Sequence, residues 1–196
     1  MQENSLSGVA GALLWPLIII VALIVLVGIW LAAAYNRLTK ARIRIDNSWS
    51  QISVQLKMRA DLVPNLVNTV KGYATHEQQT LTQVMDARSR FMAAQTPEAA
   101  MQSGNEIAGL MGRLFAVAEQ YPDLKASSNF LQLQSQLAEI EHKIALSRQF
   151  YNDAVMLYNR QVMVFPSNIA AGLFGFKQRP YFEINAVEAQ NPTVQF

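Results

Sequence analysis

Apolar residues dominate the first part of the chain. No charged residue lies between Asn4 and Asn36, and Trp15 and Trp30 lie near the two ends of the most apolar stretch. A helix needs about 20 apolar residues to cross the hydrocarbon core of a bilayer, and indole rings favour the two membrane interfaces. The pattern therefore predicts a transmembrane helix over residues 9–34.

A cleaved signal peptide is the alternative interpretation of this stretch. Ala32, Ala33 and Ala34 would offer a peptidase the small residues that it requires. However, the apolar run is much longer than the roughly 7–15 residues of a signal peptide, and the short segment over residues 1–8 contains Glu3 and no Lys or Arg. These two features favour an uncleaved anchor.

Beyond the anchor, apolar residues recur at alternating spacings of three and four, which is typical of a long, slightly supercoiled helix. The first such stripe consists of Ile45, Trp49, Ile52, Leu56, Val63, Leu66, Val70 and Tyr73. No strong helix breaker separates this stripe from the anchor, so the two are expected to form one continuous helix. Pro64 lacks a backbone donor and should kink that helix.

Two shorter helices are predicted next. Thr75 and Gln78 have the spacing of a capping box, and the helix that they would start runs to about Ala94. The triplet TPE at residues 96–98 predicts a second start, with a cap residue, a proline and a carboxylate near the positive end of the helix dipole. Three glycines in this third helix are expected to permit close backbone approach: Gly104, Gly109 and Gly112.

A last long helix completes the pattern. The triplet YPD at residues 121–123 breaks the chain, and the helix is predicted to begin by Ser128 and to end near Phe165, before a proline. The elements together predict an all-α protein, in which the transmembrane helix is followed by an antiparallel four-helix bundle of long helices over residues 35–166. A short irregular tail over residues 167–196, apolar at first and then extended, would follow the bundle.

Four basic residues follow the anchor closely and are here called the basic collar: Arg37, Lys40, Arg42 and Arg44. Because Lys and Arg are retained on the cytoplasmic side, the collar predicts a single-pass protein of the cell membrane, with its N-terminus outside and its C-terminal domain in the cytoplasm. The collar could also contact anionic lipid headgroups. A nucleic-acid-binding patch is the less favoured interpretation, because membrane topology already explains the charges.

Composition excludes several kinds of chemistry. The 196 residues include no cysteine, which rules out disulfides, thiol catalysis and thiolate metal sites, and the formal net charge is only +2. Glu139 and His142 have the spacing of half a di-iron carboxylate site, but the other histidine, His76, has Tyr73 rather than Glu three residues before it. No nucleotide-binding or hydrolase motif occurs. The sequence predicts no catalytic residues, no cofactor, no metal and no small-molecule substrate.

Arg59 occupies a position of the first apolar stripe between Leu56 and Val63. A buried guanidinium requires a partner, and Glu141 or Glu139 on the last helix is a plausible one. In that case Arg59 and Glu141 would form a buried pair that fixes the register of the two long helices. The alternative is that Arg59 extends out of the seam into solvent.

Small and apolar residues suggest self-association. Gly28 and Ala32 are four residues apart in the anchor, a spacing that allows close helix packing within a membrane. The apolar segment at residues 169–176 is too short to span a bilayer, so it should either fold back over the bundle or expose a surface to lipid or to another subunit. The candidate residues for oligomer or lipid contacts are Gly28, Ala32, Leu173, Phe174 and Phe176.

Several segments also match a known family. They are YNRL (35–38), IDNSWSQI (45–52), VQLKMRADLVPNLV (54–67), VKGY (70–73), NFLQLQ (129–134), YNDA (151–154), YN (158–159), FP (165–166), FGF (174–176) and YF (181–182). In these segments, which extend over nearly its whole length, the chain closely resembles the LemA family. The resemblance implies a single N-terminal membrane helix, a cytoplasmic antiparallel four-helix bundle and no recognised active site. One branch of the family is associated with magnetosome membranes.

The leading functional hypothesis is a non-catalytic, membrane-anchored scaffold that self-associates and organises membrane or membrane proteins. Its expected partners are membrane lipids, further copies of the chain and a membrane-protein client. The alternative is an adaptor that binds one client, such as a membrane protease or a signalling protein, in a groove of the bundle. A third hypothesis, an enzyme or metal protein built around Glu139 and His142, would require stoichiometric metal in the purified protein.

Overall fold

A computed structural model describes residues 3–74 and 76–182 of the protein. Its helices are α1 (Glu3–Lys71), α2 (Gln78–Ala93), α3 (Pro97–Ala118), α4 (Pro122–Lys125), α5 (Ser128–Met163) and α6 (Ser167–Leu173). The described ranges contain no strand, and the long apolar N-terminal helix is followed only by helices, which confirms the all-α class. The antiparallel four-helix arrangement remains a prediction.

Helix α1 runs without a break through the anchor and the first apolar stripe, so the predicted continuity is confirmed. It begins at Glu3 and therefore includes most of the segment over residues 1–8. It also continues through Pro64, whose missing N–H cannot bond the carbonyl of Ala60 one turn earlier. That carbonyl instead accepts a hydrogen bond of 2.9 Å from Nε of Arg88 in α2. The neighbouring helix thus satisfies the acceptor that the proline leaves free.

The chain divides into two compact units. The first consists of Met1–Arg44 and Met156–Arg179, and the second of Ile45–Val155 and Pro180–Phe196. Residues 183–196, where the sequence predicts an extended end, lie outside the described residues.

The core of the second unit is built from the apolar faces of α1, α2, α3 and α5, with Leu124 of α4 added. Most members of the first predicted stripe are buried in the structure. Tyr73 is an exception, with 46% of its surface exposed, because α1 ends at Lys71 and the helical period no longer sets the direction of the next side chains.

The helix ends test the predicted caps. Thr96 accepts a hydrogen bond of 3.2 Å from the backbone N–H of Ala99, which confirms the start signal of α3. The capping-box prediction for α2 is wrong, because the N-cap residue is Glu77 and its side chain makes no cap hydrogen bond. Thr75 itself lies outside the described residues. Helix α5 begins and ends close to the predicted positions, whereas the short helix α4 was not predicted. The prediction of an irregular tail is wrong at its start, because Ser167–Leu173 form helix α6.

Candidate membrane-proximal site

The apolar stretch of α1 is not covered by other parts of the described chain. Large apolar side chains from Trp15 to Trp30 expose between 36% and 70% of their surface. The mean hydropathy of the most apolar window in this helix is 3.1, and none of that window is buried. A soluble helix would bury such a face, so α1 has both the length and the apolar surface to span a membrane.

The basic collar lies on exposed positions of α1 just beyond this stretch. Arg37 lines an open groove of about 370 Å³ together with Arg160 from the last part of α5. The walls between the two arginines are apolar and include Trp30, Ala33 and Phe165. We call this the arginine groove. Lys40 and Arg42 do not line it.

A second shallow groove brings together three of the five residues that the sequence suggested for oligomer or lipid contacts. Gly28, Ala32 and Phe174 line one open space of about 370 Å³, which we call the small-residue groove. The rings of Phe174 and Phe176 both pack edge-on against Tyr35, at centroid distances of 5.0 and 5.6 Å. The fifth residue, Leu173, ends α6 and exposes 65% of its surface.

The segment after α6 pairs with α5 through side chains of the helix. In the first unit, the hydroxyl of Tyr158 donates to the carbonyl of Lys177 at 2.9 Å. The amide of Asn159 donates to the carbonyl of Arg179 and accepts from the N–H of Arg179, both at 2.9 Å. A single asparagine thereby satisfies both backbone groups of one tail residue, as a neighbouring strand would.

The second unit contains the same arrangement. The hydroxyl of Tyr151 donates to the carbonyl of Pro180 at 3.2 Å, and the Asn152 amide exchanges hydrogen bonds of 3.1 and 2.8 Å with the backbone of Phe182. Phe182 is 2% exposed, and the guanidinium of Arg148 lies 4.4 Å from the centre of its ring. The last described residues of the tail are therefore anchored by both hydrogen bonds and burial.

Arg59 is completely buried in the second unit. Its Nη1 donates to Oε1 of Glu141 at 2.8 Å, and its Nη2 donates to the carbonyl of Gly104 in α3. Its Nε has no hydrogen-bond partner among the described residues. Of the two alternatives that the sequence left open, the structure places the guanidinium inside, where it connects α1, α3 and α5.

Known proteins that are similar in sequence place the chain in a family. The model of the LemA family matches residues 48–196. This chain belongs to the LemA family. It is 28% identical over 160 residues to the magnetosome proteins MamQ 1 and MamQ 2 of Paramagnetospirillum magneticum, an alignment that covers 68% of this chain and 59% of theirs. It is 25% identical over 154 residues to Protein LemA of Metamycoplasma hominis, covering 78% of this chain and 70% of that protein.

The LemA family and these relatives carry names that state no enzymatic activity. Together with the apolar helix, membership of the family indicates a membrane-associated protein. The chain spans only 59% of the length of the two magnetosome relatives from Paramagnetospirillum.

The tail pairing explains two of the segments that resemble the LemA family but had no predicted role. The dipeptide Tyr-Asn occurs at residues 151–152 and again seven residues later at 158–159. Within each unit, one Tyr-Asn pair binds two tail residues that lie two positions apart. This repeat is the signal that could have revealed the site.

Glu139 and His142, the candidate metal ligands, both lie on the exposed surface of α5. Glu139 is exposed and accepts a hydrogen bond of 2.6 Å from Nζ of Lys143. This hydrogen bond and the ammonium charge of Lys143 lower the pKa of Glu139. His142 is also exposed. Within residues 3–74 and 76–182, no three or more metal-ligating side chains come together.

Only one of the three glycines of α3 that were predicted to allow close approach does so. A Cβ atom on Gly104 would lie 3.3 Å from Nη2 of Arg59 and 3.3 Å from a methyl group of Leu56. On Gly109 or Gly112 it would meet no described atom within 4 Å. The prediction is wrong for those two positions, because both face away from the core.

Gly104→Ala is therefore expected to lower the melting temperature, whereas Gly109→Ala should raise it. Alanine gains about 1 kcal/mol of helix propensity over glycine at either position, but at position 104 it must displace buried neighbours, at a cost of about 1–3 kcal/mol. Thermal unfolding followed by circular dichroism measures both variants. A Gly104→Ala variant as stable as Gly109→Ala would show that the contact with Arg59 is not tight.

Proposed function

We propose that the protein is a non-catalytic scaffold, anchored in the membrane by α1, which self-associates to organise membrane or membrane proteins. The observation that carries this proposal is the exposed apolar stretch of a helix that continues without a break to Lys71. Because one helix contains both the anchor and the first part of the core of the second unit, the protein is attached to the bilayer by regular structure rather than by a linker. The magnetosome relatives support a role at membranes.

The basic collar supports an orientation with the N-terminus outside and the C-terminal domain in the cytoplasm. Arg37, Lys40 and Arg42 are exposed and lie within about three turns of the end of the apolar stretch. Basic residues at that distance from a membrane helix are retained on the cytoplasmic side and are attracted to anionic lipids there.

Self-association is supported by two features of the first unit. The small-residue groove would allow a second membrane helix to approach the backbone at Gly28 and Ala32. Apolar side chains also remain exposed beyond the anchor, including Phe165 at 75%, Ile169 at 55% and Leu173 at 65%. Exposed apolar groups in one region are typical of interaction surfaces.

The experiment is light scattering of the full-length protein in mild detergent over a range of concentrations. We expect a discrete assembly that persists on dilution and whose mass falls in the variant Gly28→Leu/Ala32→Leu, because two bulky side chains fill the groove. Ala22→Leu is the matched control, since it lies roughly 100° around the helix from that groove.

A monomer or dimer at every concentration would contradict the scaffold and favour the adaptor. One observation supports that second candidate: an open groove of about 430 Å³ in the second unit, with the exposed side chains Val54, Leu146 and Phe150 along it. An amphipathic client helix could place its apolar residues there. In the light-scattering experiment, an assembly of Ala22→Leu as small as that of Gly28→Leu/Ala32→Leu would show that the small-residue groove is not the contact.

A further inference from the structure

The arginine groove combines two kinds of surface. Arg37 and Arg160 supply two guanidinium groups, and no Asp or Glu from residues 3–74 or 76–182 lines the groove. Neither arginine has an ion pair within the described ranges. Two neighbouring cations without a carboxylate attract an anion, and the guanidinium fork matches the oxygen atoms of a phosphate.

The rest of the groove suits hydrocarbon. Trp30, Val164 and Phe165 provide apolar surface, and the small side chains of Ala33 and Ala34 leave space between them. At about 370 Å³ the groove falls within the usual size range of small-molecule sites. A molecule that fits it would carry a negative charge at one end and an apolar part at the other.

The position of the groove along α1 selects the kind of molecule. Trp30 lies near the end of the apolar stretch, where an indole ring favours the membrane interface. Arg37 follows seven residues later, about 10 Å along the helix. The lipid headgroup layer is roughly 5–8 Å thick, and the side chains of a helix point back toward its N-terminus. The guanidinium of Arg37 therefore reaches the outer part of that layer when Trp30 lies at the edge of the hydrocarbon.

We propose that the arginine groove binds one anionic phospholipid of the surrounding membrane, with its phosphate between Arg37 and Arg160 and the start of its acyl chains against the apolar wall. This inference rests on the proposed membrane anchoring but not on self-association. It also distinguishes Arg37 from Lys40 and Arg42, which would attract anionic lipids only through general electrostatics.

Native mass spectrometry of the full-length protein in mild detergent tests this assignment, with phosphatidylglycerol and phosphatidylcholine as probes. We expect wild-type protein to retain phosphatidylglycerol in preference to phosphatidylcholine. The variant Arg37→Gln/Arg160→Gln should bind phosphatidylglycerol roughly a hundredfold more weakly, because each guanidinium that is removed loses a charge-assisted hydrogen bond to the phosphate, and each such bond contributes about tenfold. Arg37→Lys/Arg160→Lys should keep most of the preference.

Lys40→Gln/Arg42→Gln is the matched control, because it removes the same charge from exposed positions outside the groove. The proposal is overturned if this control loses as much affinity as the groove variant, if phosphatidylcholine binds equally well, or if inorganic phosphate competes with the lipid at equal concentration. Circular dichroism of each variant verifies that it is folded. The native mass spectra also report the oligomeric state, so a monomer that binds lipid selectively would contradict the scaffold and support the lipid site.

Discussion

Replacing Arg59 by leucine is expected to lower the free energy of unfolding by about 2–4 kcal/mol. The substitution removes a fully buried guanidinium that holds the carboxylate of Glu141 and the carbonyl of Gly104. Glu141 retains 39% exposure of its side chain, so water can reach the abandoned carboxylate and the loss stays below that of a fully buried charge. Urea unfolding of the full-length protein in mild detergent, followed by circular dichroism, measures the change.

Lys57→Leu is the matched control for this substitution. Lys57 lies two residues before Arg59 on the same helix and pairs with Asp61 at 3.1 Å, but its side chain is 61% exposed. An exposed pair contributes about 0–1 kcal/mol, so this control should change stability little. Equal losses in the two leucine variants would contradict the prediction.

We propose that the Arg59–Glu141 pair fixes the register of α1 against α5 rather than adding much net stability. The unpartnered Nε of Arg59 is a cost that the two hydrogen bonds must offset. Removing both members, as in Arg59→Met/Glu141→Leu, should therefore recover most of the stability lost in Arg59→Leu, because apolar pairs often replace buried ion pairs without loss.

Replacing Asn159 by alanine is expected to release the tail from α5. Asn159 is 3% exposed and exchanges two hydrogen bonds with the backbone of Arg179, which together contribute about 2 kcal/mol. A loss of that size raises the population of the open tail roughly thirtyfold. Cleavage by trypsin after Lys177 should become faster by a similar factor, because proteolysis follows the population of the open form when closing is rapid.

Asn168→Ala is the control, since Asn168 is exposed and belongs to the same unit. Its cleavage rate should equal that of the wild-type protein. Tyr158→Phe removes the hydrogen bond to the carbonyl of Lys177 and should give an intermediate rate. If Asn159→Ala is cleaved no faster than Asn168→Ala, the asparagine does not hold the tail.

Much of the fold follows from the sequence. Local composition and helical period are sufficient to predict the anchor, the continuity of α1 and the position of α5, because each depends on residues close together in the chain. The start of α3 was also predicted, since Thr96 and the residues after it form the cap by themselves. The start of α2 was not, because Glu77 begins it without a side-chain cap.

The membrane-proximal site was only partly predictable. Charge and hydropathy are sufficient to predict the residues that the basic collar and the anchor contribute to the two grooves. Arg160 could not be predicted in this way, because it lies beside Arg37 only through the packing of α1 and α5 in the first unit. The Tyr-Asn pairs were visible as a repeat, but nothing local indicates that their partner is an extended tail some twenty to thirty residues away.

The sequence by itself therefore determined which residues share a helix and which face of that helix is apolar. Tertiary structure decided how deep each position lies and what it meets there. Arg59 could equally have reached solvent, and nothing local shows that Gly104 lies against Arg59. Both outcomes depend on the distance between neighbouring helices, which is set by the fit of many side chains together rather than by the spacing of any few residues.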